Sequence, residues 1–147
     1  MIETVHVVTA FLRHDGRILL LQRSGRVGSY RGRWAAVSGY LEEPTALAQA
    51  LREIEEETRI PPAAVALAAE GQPISVDDDS LRRRWVVHPF LFDLASPRPV
   101  RLDWEHSACR WVRPAEFPSL PTVPRLADAL AACGPGALQR VGEAPGE

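Results

Sequence analysis

Asp15 and Gly16 stand between two β-rich runs, VHVVTAFLRH and RILLLQRS. A two-residue type I′ turn needs positive φ at both central positions, and an Asp-Gly pair meets that need at little steric cost. The pair therefore specifies an antiparallel hairpin, with strands at Val5–Arg13 and Arg17–Gln22. A lone hairpin is marginal in water, so other strands and a helical cover must complete the fold.

The cover is legible further on. PTALAQALREIEEET, residues 44–58, starts with Pro and Thr and repeats apolar residues at Leu47, Ala50, Leu51 and Ile54. That spacing makes one helical stripe. Pro61-Pro62 ends it. WAAVSGYL reads as a short strand ending at Gly39, and AVALAAEGQPISV and RRRWVVHPFLFDL as two more strands around a polar tip, DDDSLRRR. PVRLDW and CRWVRP are short and β-like, PAEFPSL suits a turn or short helix, and VPRLADALAAC a last helix. His88 and the tryptophans 34 and 85 read as core residues, the tryptophans also as candidates to stack on a base. The order of elements predicts an α+β domain with a mixed sheet.

At 147 residues the chain suits one domain, residues 1–133, followed by a Gly/Pro-rich flexible tail, 134–147. A net charge of -2 argues against stable nucleic-acid binding or membrane attraction. Cys109 and Cys133 lack metal-ligand spacing and read as reduced thiols of a cytoplasmic protein. Neither a leader nor an apolar span is evident.

The helix carries an electrostatic oddity. REIEEE, residues 52–57, holds four carboxylates and one arginine, although like charges at i,i+3 and i,i+4 repel. On a helical wheel Glu53, Glu56 and Glu57 converge beside the apolar stripe, while Glu55 points away. A solvated acidic face would carry alternating charges, yet the chain has no lysine, and the negative charge sits at the wrong end of the helix dipole. A divalent cation with oxygen ligands, shared with a substrate phosphate, accounts for the cluster.

GYLEEPTALAQALREIEEETRI, Gly39 to Ile60, resembles the Nudix box: Arg52, Glu53, Ile54, Glu56, Glu57 and Ile60 match its second half in register. WEHSACRWVRPAEF is similar to the segment near the end of many Nudix domains, and the likeness covers about Val5 to Leu130. Two positions depart from the pattern. The spacer from Gly39 to Arg52 is one residue short, leaving Glu43 as the nearest stand-in for its glutamate, and Arg59 occupies the place of a glycine.

The resemblance implies an α/β/α sandwich with a mixed central sheet. It also implies a Mg²⁺-dependent pyrophosphohydrolase, with Mn²⁺ as an alternative ion, acting on a nucleoside diphosphate linked to another moiety. Glu53, Glu56, Glu57 and the backbone at Gly39 would hold the metal, and Arg52 would orient the glutamates. Glu56 or Glu105 would be the base that accepts the proton of the attacking water. From the arginine-rich loop that follows the hairpin, Arg23 and Arg33 are the candidates to grip phosphate. A homodimer is left open. The rival function is a non-catalytic Nudix-fold module that senses a nucleotide; the intact Glu53, Glu56 and Glu57 favour the enzyme. An isoprenoid diphosphate isomerase of this fold would need an early cysteine, and the first sixty residues have none.

Overall fold

The computed structural model describes residues 2–134. Its centre is β1, Glu3–His14, which turns through Asp15 (φ 54°) and Gly16 (φ 75°) into β2, Arg17–Arg23. Both turn residues have the positive φ that the sequence demanded, and Arg13 pairs with Ile18 across the hairpin. The run 34–41 splits at Ala36 into β3, Trp34–Ala35, on β2, and β4, Val37–Tyr40, antiparallel to β1. The break lets one short segment serve two neighbours of the sheet.

The other long edge of β1 pairs in parallel with β7, Arg83–Leu94, from Glu3↔Arg83 to Arg13↔Asp93. Residues 65–78 form two strands where one was expected. β5, Val65–Glu70, pairs with the second half of β7, and β6, Ile74–Asp78, with the first half. Gly71 and Pro73 lie between them, and Pro cannot donate to a ladder. β8, His106–Val112, closes the other side on β2. PVRLDW forms no strand: despite β-like composition it carries no regular structure up to a turn at Trp104, and it is tied at Arg101 N to Thr58 O (3.0 Å).

Alternate residues of the strands feed two cores. Val8, Ala10, Leu12, Leu19, Leu21, Phe90 and Phe92 pack under α1, Ala46–Thr58, through Ala50 and Ile54. Phe11, Ile18, Leu20 and Leu91 face a 3₁₀ turn, Pro114–Ser119, and α2, Leu126–Ala131. The sheet is mixed and lies between helical layers, as the sequence led us to expect. Residues 135–147 of the expected tail lie outside the described residues.

Thr45 caps α1 by accepting from Ala48 N, and Arg59 ends it in the left-handed conformation at φ 64°, its N–H donating to Glu55 O. Arg59 thus adopts the geometry for which glycine was expected. Leu47 and Leu51 are only half-buried, whereas Gln49, Glu53 and Glu57 are buried. The inward face of α1 is therefore rotated from its apolar stripe toward its carboxylates. His88 is half-buried and not a core residue; its Nε2 lies 3.0 Å from Nδ1 of His6.

Candidate active site

A cleft of about 330 Å³ opens beside β4 and α1, lined by Gly39, Glu53, Glu56, Arg52, Arg23 and Glu105, and by an aromatic wall from Tyr30, Tyr40 and Trp85. Glu53 reaches it because residue 39 has no side chain. A Cβ built on Gly39 would stand 2.6 Å from both Glu53 carboxylate oxygens. Gln49, one turn earlier and fully buried, donates from Nε2 to Glu53 Oε2 at 2.6 Å. Its own Oε1 accepts from Glu42 N and Glu43 N, at 2.9 and 2.8 Å, so Gln49 ties the loop before α1 to the Glu53 carboxylate. The sequence reading overlooked Gln49. Its signal was a polar residue four before Glu53 on the buried face.

Glu57 lies deeper, 1 % exposed, and accepts from Ser38 N at 3.4 Å. Burial first, then the charges of Glu53, Glu105 and Asp103, push its pKa well above the ordinary carboxylate value. Glu53 is raised too, chiefly by burial. The two carboxyl groups leave α1 one turn apart, and the charge of Glu53 adds to the burial that raises Glu57. Two desolvated acids thus share a site that cannot hold both as anions without a compensating cation.

Glu56 stands apart from them. Its Oε1 accepts from Arg52 Nε at 2.9 Å, and both side chains are about half exposed. Arg52 also donates from Nη1 to Glu43 Oε2 at 3.0 Å. Glu43 therefore does bridge to the arginine across the shortened spacer. Among the described residues no three His, Cys, Asp or Glu side chains are gathered into one ligand set. The wheel brought Glu53, Glu56 and Glu57 to one sector, but the Arg52 pair turns the Glu56 carboxylate aside. A divalent cation fits the donor set nevertheless. The Glu53–Glu57 pair is a buried oxygen site relieved by positive charge, and Glu56 borders the same cleft.

Glu105 comes from a loop 48 positions beyond Glu57 in the sequence. Ser24 holds that loop: its N–H donates to Glu105 O (2.8 Å) and its Oγ to Trp104 O (3.0 Å). Burial, Asp103 and Glu53 raise the Glu105 pKa. Next to it, His106 is buried with Nδ1 2.8 Å from Asp103 Oδ1 and Nε2 3.6 Å from Glu57 Oε1. Burial lowers the His106 pKa. The sequence marked His106 only as part of a motif; its position between Asp103 and Glu57 depends on tertiary structure.

Arg23 lines the cleft at the end of β2, fastened through Nε to Ser29 O at 2.9 Å. Arg33 does not line it. Its Nη1 donates to Thr122 O at 3.2 Å, so the loop turns this arginine toward the segment before α2. Trp34 is buried in the core, whereas Trp85 faces the cleft.

The NUDIX domain family model matches residues 3–133. Solved structures share the fold at low identity. The MutT protein from Methanosarcina mazei Go1 has a TM-score of 0.72 and 22 % identity, over 87 % of this chain and 91 % of that one. A C. elegans Ap4A hydrolase has 0.68 and 19 %, over 85 % and 91 %. The E. coli dihydroneopterin triphosphate pyrophosphohydrolase has 0.66 and 22 %, over 89 % and 96 %. A search of curated protein sequences finds no significant match.

Proposed function

This chain belongs to the Nudix hydrolase family, enzymes of phosphoric anhydride bonds, and from that premise we propose that it is a Mg²⁺-dependent pyrophosphohydrolase. Its substrate is a nucleoside diphosphate linked to a further moiety. The observation that carries the reading is the buried pair of carboxyl groups one helical turn apart, Glu53 lining the cleft and Glu57 fully buried next to it, both with raised pKa. A neighbour of the same fold named as an Ap4A hydrolase supports a nucleotide-type substrate, and one named as a dihydroneopterin triphosphate pyrophosphohydrolase supports cleavage within a phosphate chain.

Glu53, Glu57 and Glu56 would hold Mg²⁺ or Mn²⁺, with the Gly39 backbone alongside. The ion supplies charge neutralisation of the diphosphate and a bound water of lowered pKa. The chain's own groups do the rest. Gln49 fixes the rotamer of Glu53. Arg52 holds Glu56 at the cleft wall while Glu43 holds Arg52. Arg23 carries positive charge to the phosphate side of the cleft. A base must receive the water's proton, and both Glu56 and Glu105 border the cleft. The raised pKa of Glu105 suits it better to that role at neutral pH. Among the described residues no helix is long and apolar enough to cross a membrane. The cytoplasm remains the proposed setting.

The test is phosphate release with Mg²⁺ from nucleoside triphosphates, ADP-ribose, NADH and dinucleoside polyphosphates, with wild type beside Glu56→Gln and Glu105→Gln. Turnover of at least one compound, reduced in the variants, is expected. Binding without turnover of any compound would replace the enzyme with the nucleotide-sensing module.

A further inference from the structure

The wall of the cleft away from the carboxylates is aromatic, and the polar atoms of Tyr30 and Trp85 in it are already engaged. Tyr30, from the arginine-rich loop, sits at φ 50°, a conformation that non-glycine residues rarely adopt. Its hydroxyl donates to Asp78 Oδ2 (2.5 Å) and accepts from Trp85 Nε1 (3.2 Å). Asp78 in turn accepts from Ser80 Oγ (2.6 Å) and Leu81 N (3.1 Å) through Oδ1. The Trp85 indole is thereby fixed in the plane of the wall. Arg83, two residues earlier on the strand, places its guanidinium carbon 5.2 Å from the Trp85 ring centroid.

Tyr40 faces Trp85 from across β1. Register brings it level with Val7 and Val87, on the side of Trp85 opposite Arg83 along the strand. The Tyr40 and Trp85 centroids are 6.5 Å apart with planes tilted by 33°. Contacting carbon atoms sit about 3.5–4.0 Å apart, so a ring held between two others needs about 7–8 Å. Tyr40, 55 % exposed at the end of β4, has the freedom to open the gap; Trp85 does not need to move.

We propose that Trp85 is the fixed wall and Tyr40 the moving wall of a slot for one planar aromatic ring, and that the slot requires a nucleobase without selecting which one. Every base offers a π-face, so stacking tolerates them all. Selection among bases needs free hydrogen-bonding groups, and on the Trp85 side the Tyr30 hydroxyl and Asp78 carboxylate are spent on each other and on their neighbours, while the Tyr40 hydroxyl sits on the moving wall, where it holds no fixed position against a base edge. Tyr30 is a positioning residue, acting through Trp85. The inference rests on reading the cleft as a diphosphate site but not on hydrolysis: a sensing module would use the same slot.

Calorimetric binding to the full chain with Ca²⁺ in place of Mg²⁺, an ion that takes the same oxygen ligands and neutralises the diphosphate, tests the slot apart from turnover, with ADP, UDP and the base-free phosphoribosyl pyrophosphate. ADP and UDP are expected to bind within about fivefold of each other, and both about tenfold or more tighter than phosphoribosyl pyrophosphate. Tyr40→Ala, at an exposed position, should shrink that advantage about tenfold, and Tyr30→Phe should shrink it less. Affinity for ADP no greater than for phosphoribosyl pyrophosphate, including no binding of either, overturns the slot. So does an ADP–UDP difference in the wild type well beyond about fivefold. Absence of turnover in the separate hydrolysis assay would bear on the enzyme reading alone.

Discussion

The Glu53 carboxylate fills the space that a side chain at residue 39 would occupy, with both oxygens 2.6 Å from the position of a Cβ on Gly39. Gly39 is thus required by close approach and not by backbone angle; it is absent from the glycines with positive φ. Gly39→Ala must push Glu53 away from the cleft. Misplacement by about 1 Å at a catalytic centre costs on the order of 100-fold in rate. The expected result is a kcat lower by at least about tenfold, with Mn²⁺ affinity reduced in parallel and the circular dichroism spectrum unchanged.

Buried Glu57 gives the metal-free protein a particular pH dependence. Its folded pKa lies above its unfolded one, so the native state binds the extra proton between the two values. That contribution to stability is complete below the unfolded pKa and is lost as pH rises through the folded pKa. His106 acts in the opposite sense, because its folded pKa is depressed: its contribution is present above the unfolded pKa and is lost as pH falls through the folded one. Glu57→Gln removes only the first. In EDTA the variant should gain stability over wild type as pH rises above the ordinary carboxylate range, measured by urea unfolding at a series of pH values. Saturating Mg²⁺ should reverse the order at neutral pH, since the ion stabilises only the protein that binds it.

Arg52 predicts a separation of activity from stability. It is about half exposed and bridges Glu56 and Glu43 at the surface, where ion pairs contribute little to folding. Arg52→Gln should therefore leave the melting temperature nearly unchanged and lower kcat, because Glu56 loses its hold. A melting temperature that falls as far as in a core variant such as Ile54→Ala would assign Arg52 a structural role instead.

Arg59 makes the reverse case. It ends α1 at φ 64°, where a Cβ is unfavourable and glycine is not. Arg59→Gly should stabilise the domain by up to about 1 kcal/mol in chemical denaturation, with no change in kcat.

These residues also mark what the sequence discloses. The Asp15-Gly16 turn and the capped, periodic α1 are local devices, and both are read correctly from spacing alone. The acidic turn is local as well, so its chemistry was visible before its geometry. What escaped was non-local. The parallel pairing of β1 with β7 joins residues about eighty positions apart and leaves no periodic trace. The same holds for His106 beneath Glu57 and for Tyr30 against Asp78 and Trp85. PVRLDW misled because β-like composition does not supply a strand with a partner edge. Glu56 shows the limit of a helical wheel, which fixes where a side chain leaves the helix and not which neighbour captures it.

The most direct measurement of the central claim is the Mg²⁺ dependence of nucleoside diphosphate cleavage in wild type and Glu57→Gln, with Mn²⁺ binding followed by electron paramagnetic resonance on both proteins. The account predicts saturable, metal-requiring turnover in wild type. In the variant, turnover should fall by at least about 100-fold, with weakened Mn²⁺ binding. Cleavage that persists in EDTA, or a Glu57→Gln protein with full turnover and wild-type Mn²⁺ affinity, would contradict it.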